Sequence, residues 1–301
     1  MDEEADPSKI DRKMFPTKLS SVDPDLAKIY TKTGDDAIDR GNDDDEIGVS
    51  EKPKGVAKVA DLSPSQSSMN IDKALAMVIT MLNPERDDLQ AGGDLGAFIS
   101  EDGFIMDGHH RWIATAMIDP SLSVGGYLVH FPGEKLVAVL NAMTKGRYGE
   151  MKGKPASGGF EQFQEAPIRQ KLEEFLKEGK WGNSPETVQA IIEKWTGQQG
   201  PAAVDAAVQK LVKNLSGLNL TTPSWAPERP DMPIIDKPDI PDAVTSLKTG
   251  IVDVNPPYSK ATQGAFTKKY TQGAHPVKGG RPKLERKQRT KKTQKRRMRK
   301  K

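Results

Sequence analysis

Phe104-Ile105-Met106-Asp107-Gly108-His109-His110-Arg111-Trp112 is the stretch on which the fold reading turns. An apolar, β-prone run passes directly into Asp-Gly, and beyond it Ile113, Ala114, Ala116 and Met117 recur at helical spacing until Pro120. The spacing therefore predicts a strand, a sharp turn and a helix with no loop between them. Upstream, Ala97-Phe98-Ile99 is joined to the run by Ser100-Glu101-Asp102-Gly103, and Asp-Gly between β-prone runs is a hairpin signal.

Further out, Val56 to Leu62 alternates as a strand that Pro64 should end. Asn70 suits a helix N-cap, and Ala74, Leu75, Val78, Ile79 and Leu82 supply a helical face closed by Asn83-Pro84. After the central helix, Tyr127 to Phe131 reads as a last strand. Pro132-Gly133 then opens a helix with Leu136, Val139, Leu140 and Met143 on one face. The order β-α-β-β-α-β-α predicts an α/β (α+β) fold, a small mixed sheet with packed helices. A short helical region and disordered termini should follow it.

The junction carries the chemistry. The first turn of a helix leaves backbone N–H groups unpaired, and its dipole favours an anion there. Gly108 allows both the turn and a close ligand approach, and Arg111 adds a planar fork of donors for phosphate oxygens. His109 and His110 add donors and a group able to move a proton near neutral pH. Asp107 can cap the helix, orient a histidine or hold Mg²⁺ beside a phosphate. The catalytic candidates are thus Asp107, His109 and His110, and the phosphate-binding candidates are Gly108, His109, His110 and Arg111. Ser65 and Gln66 join the second set from the opposite loop. Trp112 reads as packing rather than base stacking, and His130 as structural. Trp181, Trp195 and Trp225 read as packing or partner-docking residues.

Leu62-Ser63-Pro64-Ser65-Gln66, then a helix, then a hairpin ending in Asp107-Gly108-His109-His110-Arg111, resembles ParB/sulfiredoxin-like domains over about residues 56 to 140. The first piece is similar to the ParB first strand. The second is similar to the phosphate-binding turn of ParB-like nucleases and of free-serine kinases on this fold. The resemblance implies a bound nucleoside triphosphate or diphosphate with Mg²⁺. Three departures narrow it. Sulfiredoxins need a cysteine in this turn, and the chain has none. Partitioning ParB proteins carry a Gly-Glu-Arg-Arg type of turn followed by a helix-turn-helix, of which Gly108 and Arg111 are matched here. The serine kinases place a glutamate base where Gln66 stands, and an amide takes no proton.

Composition bounds the remainder. Hydrophobic residues are 35% of 301, with 27 Gly and 22 Pro, too few apolar side chains to fill two cores. Without cysteine there is no disulfide, thiolate zinc site or thiol nucleophile, and nothing calls for haem or flavin. No apolar run reaches membrane length, and the acidic start lacks a signal-peptide core, so a soluble intracellular protein without a membrane partner is expected. The net charge of +3 conceals a basic tail. Residues 278–301 carry 14 Lys and Arg against Glu285 alone. Arg281, Lys283, Arg286, Lys287, Arg289, Lys291, Lys292, Lys295, Arg296, Arg297 and Arg299 form the body of that tail. Such density is the footprint of nucleic-acid phosphate binding without sequence readout.

The expected organisation is an acidic segment 1–55, the α/β domain 56–145, a linker 146–160, helices over 161–217, a Pro-rich extended segment 218–277 and the tail. In the first segment Leu26, Ile29 and Tyr30 suit one helical turn, and in the linker Arg147 and Tyr148 read as solvated. The functional expectation is a nucleic-acid-associated protein with a ParB-like nucleotide-binding domain, a nuclease if it is an enzyme. The alternatives are an ATP- or ADP-dependent small-molecule kinase and a non-enzymatic structural component of virion or phage type.

Overall fold

The computed structural model describes residues 16–22, Pro24, Ala27, Thr31, 47–148 and 158–250. It is mixed α/β and divides into two compact units, one of residues 50–133 and 153–230, the other of residues 1–49, 134–152 and 231–301.

The first unit is built on a five-stranded sheet. Its strands are β1 (Val49–Lys58), β2 (Ser63–Pro64), β3 (Asp94–Ser100), β4 (Phe104–Ile105) and β5 (Ser123–Val129), in the order β1-β5-β3-β4-β2. The expected hairpin is present: β3 and β4 pair antiparallel through Ile99 and Ile105, and Gly103 takes φ 84° to close the turn. β5 and β2 lie parallel to their neighbours β3 and β4, so the sheet is mixed.

The expected strand 56–62 is split. β1 ends at Lys58, Val59–Asp61 form a 3₁₀ turn, and Pro64 lies in β2 rather than terminating a strand. Proline is tolerated there because a two-residue strand at the sheet edge needs few ladder N–H groups. β5 likewise begins at Ser123, before the expected Tyr127. Its Gly125-Gly126 pair reads locally as a loop, yet Gly126 sits at φ 151° opposite Ala97, where a Cβ would stand 2.4 Å from the Ala97 carbonyl oxygen.

Helix α1 (Ile71–Leu82) starts where its cap predicts, with the Asn70 side chain accepting from the Lys73 N–H at 2.8 Å. Helix α2 (His109–Ile118) follows β4 through Met106, Asp107 and Gly108. Trp112 is fully buried on α2 and donates its indole N–H to the Val59 carbonyl at 3.0 Å, which ties the helix to the 3₁₀ turn. Helices α4 (Glu165–Glu178), α5 (Pro185–Thr196) and α6 (Pro201–Leu215) lie where amphipathic spacing places them. Ile168, Leu172, Val188, Ile192, Val208 and Leu211 belong to the same buried cluster as α1, α2 and the sheet. The region expected as a separate 161–217 segment thus shares one core with the sheet. Amphipathicity marks a buried face without saying what buries it.

The second unit holds helix α3 (Gly133–Gly146, in this unit from Glu134) and helix α7 (Ile240–Lys248). Helix α7 lies inside the segment expected to be extended. Pro241 occupies its first turn, where the missing N–H costs nothing, and Ile240, Ala243, Val244 and Leu247 are buried. Arg147 and Tyr148, expected as solvated linker, both bond Asp242: the guanidinium at 2.7 and 2.6 Å and the phenol at 3.0 Å. Leu26, Ile29, Tyr30, most of the 146–160 linker and the tail 278–301 lie outside the described residues.

Candidate functional site

The junction has the expected backbone geometry. Met106 N–H donates to the Phe98 carbonyl at 2.8 Å, so the chain is still held to β3 one residue before the turn. Gly108 then adopts φ 92°, ψ 12° as the N-cap of α2. A side chain is disfavoured there on two counts: the strain of the left-handed φ, and an added Cβ only 3.1 Å from that of Ala97. His109, His110 and Arg111 open the helix, whose first-turn amides have no intrahelical acceptor. Arg111 and Asp107 flank this start as an ion pair at 3.5 Å, with side chains 28% and 52% exposed.

The two histidines do not face solvent. Both are buried, and each accepts a backbone N–H at its Nε2, His109 from Ser65 and His110 from Asn70, both at 3.2 Å. Together they clamp the 65–70 loop from its two ends. Burial holds the His109 imidazole far below its ordinary pKa, at about 3. Accepting at Nε2, the neutral ring keeps its proton on Nδ1. Near neutral pH its one basic nitrogen is committed to the Ser65 amide, which counts against the proton-moving role expected of His109.

Ser65 and Gln66 are also buried, with their polar groups turned inward. Ser65 Oγ donates to the Ile105 carbonyl, and the Gln66 amide donates to the Ser68 carbonyl and to Met69 Sδ. Both were expected to reach ligand from the opposite loop, and both instead fix that loop to β4 and to itself. Of the residues singled out, Asp107, Gly108 and Arg111 meet at the helix start. His109, His110, Ser65 and Gln66 form the wall behind it.

Sequence reasoning missed two contributors. Asn70 both caps α1 and binds His110, a dual use visible only once α2 is in place. Arg229 arrives from the Pro-rich segment: Ser67 N–H donates to the Pro227 carbonyl at 3.0 Å, and Arg229 N–H donates to Ser68 Oγ at 3.1 Å. Burial lowers the pKa of its guanidinium, so a partly desolvated cation is carried on the segment that covers the loop. Nothing local in that stretch signals it.

Among the described residues no cluster of three or more His, Asp or Glu is placed to hold a metal, and no helix is long and apolar enough to cross a membrane. No family model, curated protein or solved structure matches the chain.

Proposed function

We propose that the ParB/sulfiredoxin-like stretch, about residues 56 to 140, takes a nucleotide or a nucleic-acid phosphate at the start of α2, within a nucleic-acid-associated protein. The observation that carries the reading is the left-handed Gly108 cap beside the part-exposed Arg111 guanidinium. That pairing presents helix-start amides and a planar cation to one anion. Asp107 suits a Mg²⁺ that keeps most of its ligands as water and phosphate oxygens, since Mg²⁺ needs only one or two carboxylates. The metal would neutralise phosphate charge there.

The inward-facing histidines favour binding over hydrolysis. With His109 committed to Ser65, and Gln66 lacking a titratable proton, this domain grips phosphate without a histidine base. The non-enzymatic reading therefore ranks above the nuclease and the kinase. The tail 278–301 would add nucleic-acid affinity through charge alone.

The test is thermal denaturation of the full chain with ATP or ADP and Mg²⁺, and with a short DNA duplex. A stabilising shift in the wild type that Arg111→Ala abolishes supports the site. Absence of any shift in the wild type with all three ligands sinks it. If nucleotide shifts the transition equally in both proteins, the ligand binds elsewhere.

A further inference from the structure

Trp181 combines two exceptions. Among the described residues it is the one exposed large hydrophobic side chain, at 44%, and the one non-glycine residue with positive φ, at 51°. Gly182 follows at φ 82°, so Trp181 and Gly182 form a two-residue left-handed turn between Lys180 and Asn183, which bridge antiparallel. Asn, Asp or Gly normally fill the first position of such a turn, because a bulky L-residue there is strained. At 44% exposure the indole is only partly covered, so the burial that offsets the strain is incomplete.

The turn is held rigidly. Lys180 and Asn183 exchange backbone bonds at 2.9 and 3.0 Å, and Asn183 Oδ1 accepts from the Asn83 amide at 2.8 Å. Lys180 Nζ pairs with Asp72 at 2.7 Å on α1 and stands over the Phe175 ring. The indole is therefore displayed on a fixed platform, as an anchor residue should be. Nucleic acid is the less suited partner, since the neighbouring cation is already paired and Glu178 and Glu186 flank the turn. A strand needs unpaired cations along its path.

The same unit also carries a groove. Between α4, α5 and the start of α6 lies a groove of about 390 Å³ with Leu176, Ile192, Pro201 and Val204 among its lining. Glu173 and Glu193 belong to the same lining, together with Arg169 and Asp205, which pair at 2.6 Å. Apolar side chains suit indole rings and a carboxylate oxygen suits an indole N–H, the two requirements of a buried tryptophan, and the lining holds both kinds of group. The groove and the strained turn are both built by the α4–α5 hairpin, yet Trp181 remains exposed, so its own groove does not receive it.

We infer that Trp181 anchors a second copy of this chain, its indole seated in the α4–α5–α6 groove of the neighbouring molecule. The contact is self-complementary and independent of the phosphate site. It is read by the mass of the nuclease-treated full chain in light scattering and sedimentation, from low micromolar to several hundred micromolar. The wild type should associate as concentration rises. Trp181→Asn, which suits the left-handed turn, should remain monomeric; so should Val204→Lys, which places a charge in the groove lining. Mixing the two variants should restore association, since one supplies the groove and the other the tryptophan. A wild type monomeric throughout, association unchanged in Trp181→Asn, or mixed variants that stay apart would each overturn the inference. Association that appears only when nucleic acid is left in the sample would overturn it in favour of a nucleic-acid partner.

Discussion

Replacing His109 by Gln tests the internal role of the imidazole. The ring is buried and neutral in the folded protein, with a pKa of about 3 against an ordinary 6.5. As pH falls below 6.5 the unfolded chain takes up a proton at this position while the folded chain does not. Stability from His109 is therefore complete above its ordinary pKa and declines from there down toward the folded value. At about 1.4 kcal/mol per pH unit, the loss between about pH 7.5 and about pH 5 is about 2 kcal/mol. Glutamine reaches about as far as the imidazole and offers Oε1 to the Ser65 N–H, but it does not titrate. The wild type should thus lose about 2 kcal/mol more than His109→Gln over that interval, with contributions from other titrating groups common to both proteins. The measurement is urea unfolding at the two pH values, followed by circular dichroism and tryptophan fluorescence. His109→Leu provides a second arm: it leaves the Ser65 N–H buried without its acceptor, at a cost of about 1–3 kcal/mol at either pH. If wild type and His109→Gln lose the same stability within about 0.5 kcal/mol, His109 is not a neutral buried acceptor, and proton transfer returns as a role for it.

Gly126→Ala should destabilise the first unit by more than about 3 kcal/mol, because its Cβ would overlap the Ala97 carbonyl across the β3–β5 ladder; a melting temperature within a few degrees of wild type would contradict that packing. Deleting residues 278–301 should weaken binding to DNA of unrelated sequence and flatten its dependence on salt, since up to 14 cations are lost; an unchanged salt slope in a filter or anisotropy titration would place the nucleic-acid contacts elsewhere.

Local signals located the helices well. Asn70 before an apolar face and Asp102-Gly103 between β-prone runs each act within a few residues, and each produced the expected cap or turn. Strand ends were harder to place. β2 is two residues long and exists only because β4 lies parallel beside it, a pairing between Ser63 and Phe104 that no local pattern announces. The start of β5 is hidden by Gly125-Gly126, whose composition resembles a loop although the missing Cβ is what lets β3 approach. Helix α7 was hidden in the same way by Pro241, which marks extended chain in a Pro-rich setting and is equally at home in a first helical turn.

The histidines define the limit of such reading. Asp107-Gly108-His109-His110-Arg111 specifies a sharp turn and a helix start, and both are present. Which way a side chain at that start faces depends on what packs against the helix, and the answer comes from about 40 residues upstream. Ser65 and Asn70 present N–H groups at the two ends of one loop, and two consecutive imidazoles accept them. Adjacent residues on a helix diverge by roughly 100°, so a pair of histidines can hold both ends of a loop where either alone would hold one. Arg111, one step further round, is left part-exposed beside Asp107. The same short motif thus divides into an inner half that fixes the wall and an outer half that stays part-exposed. Exchanging the inner half should act on stability, and exchanging Arg111 should act on ligand binding.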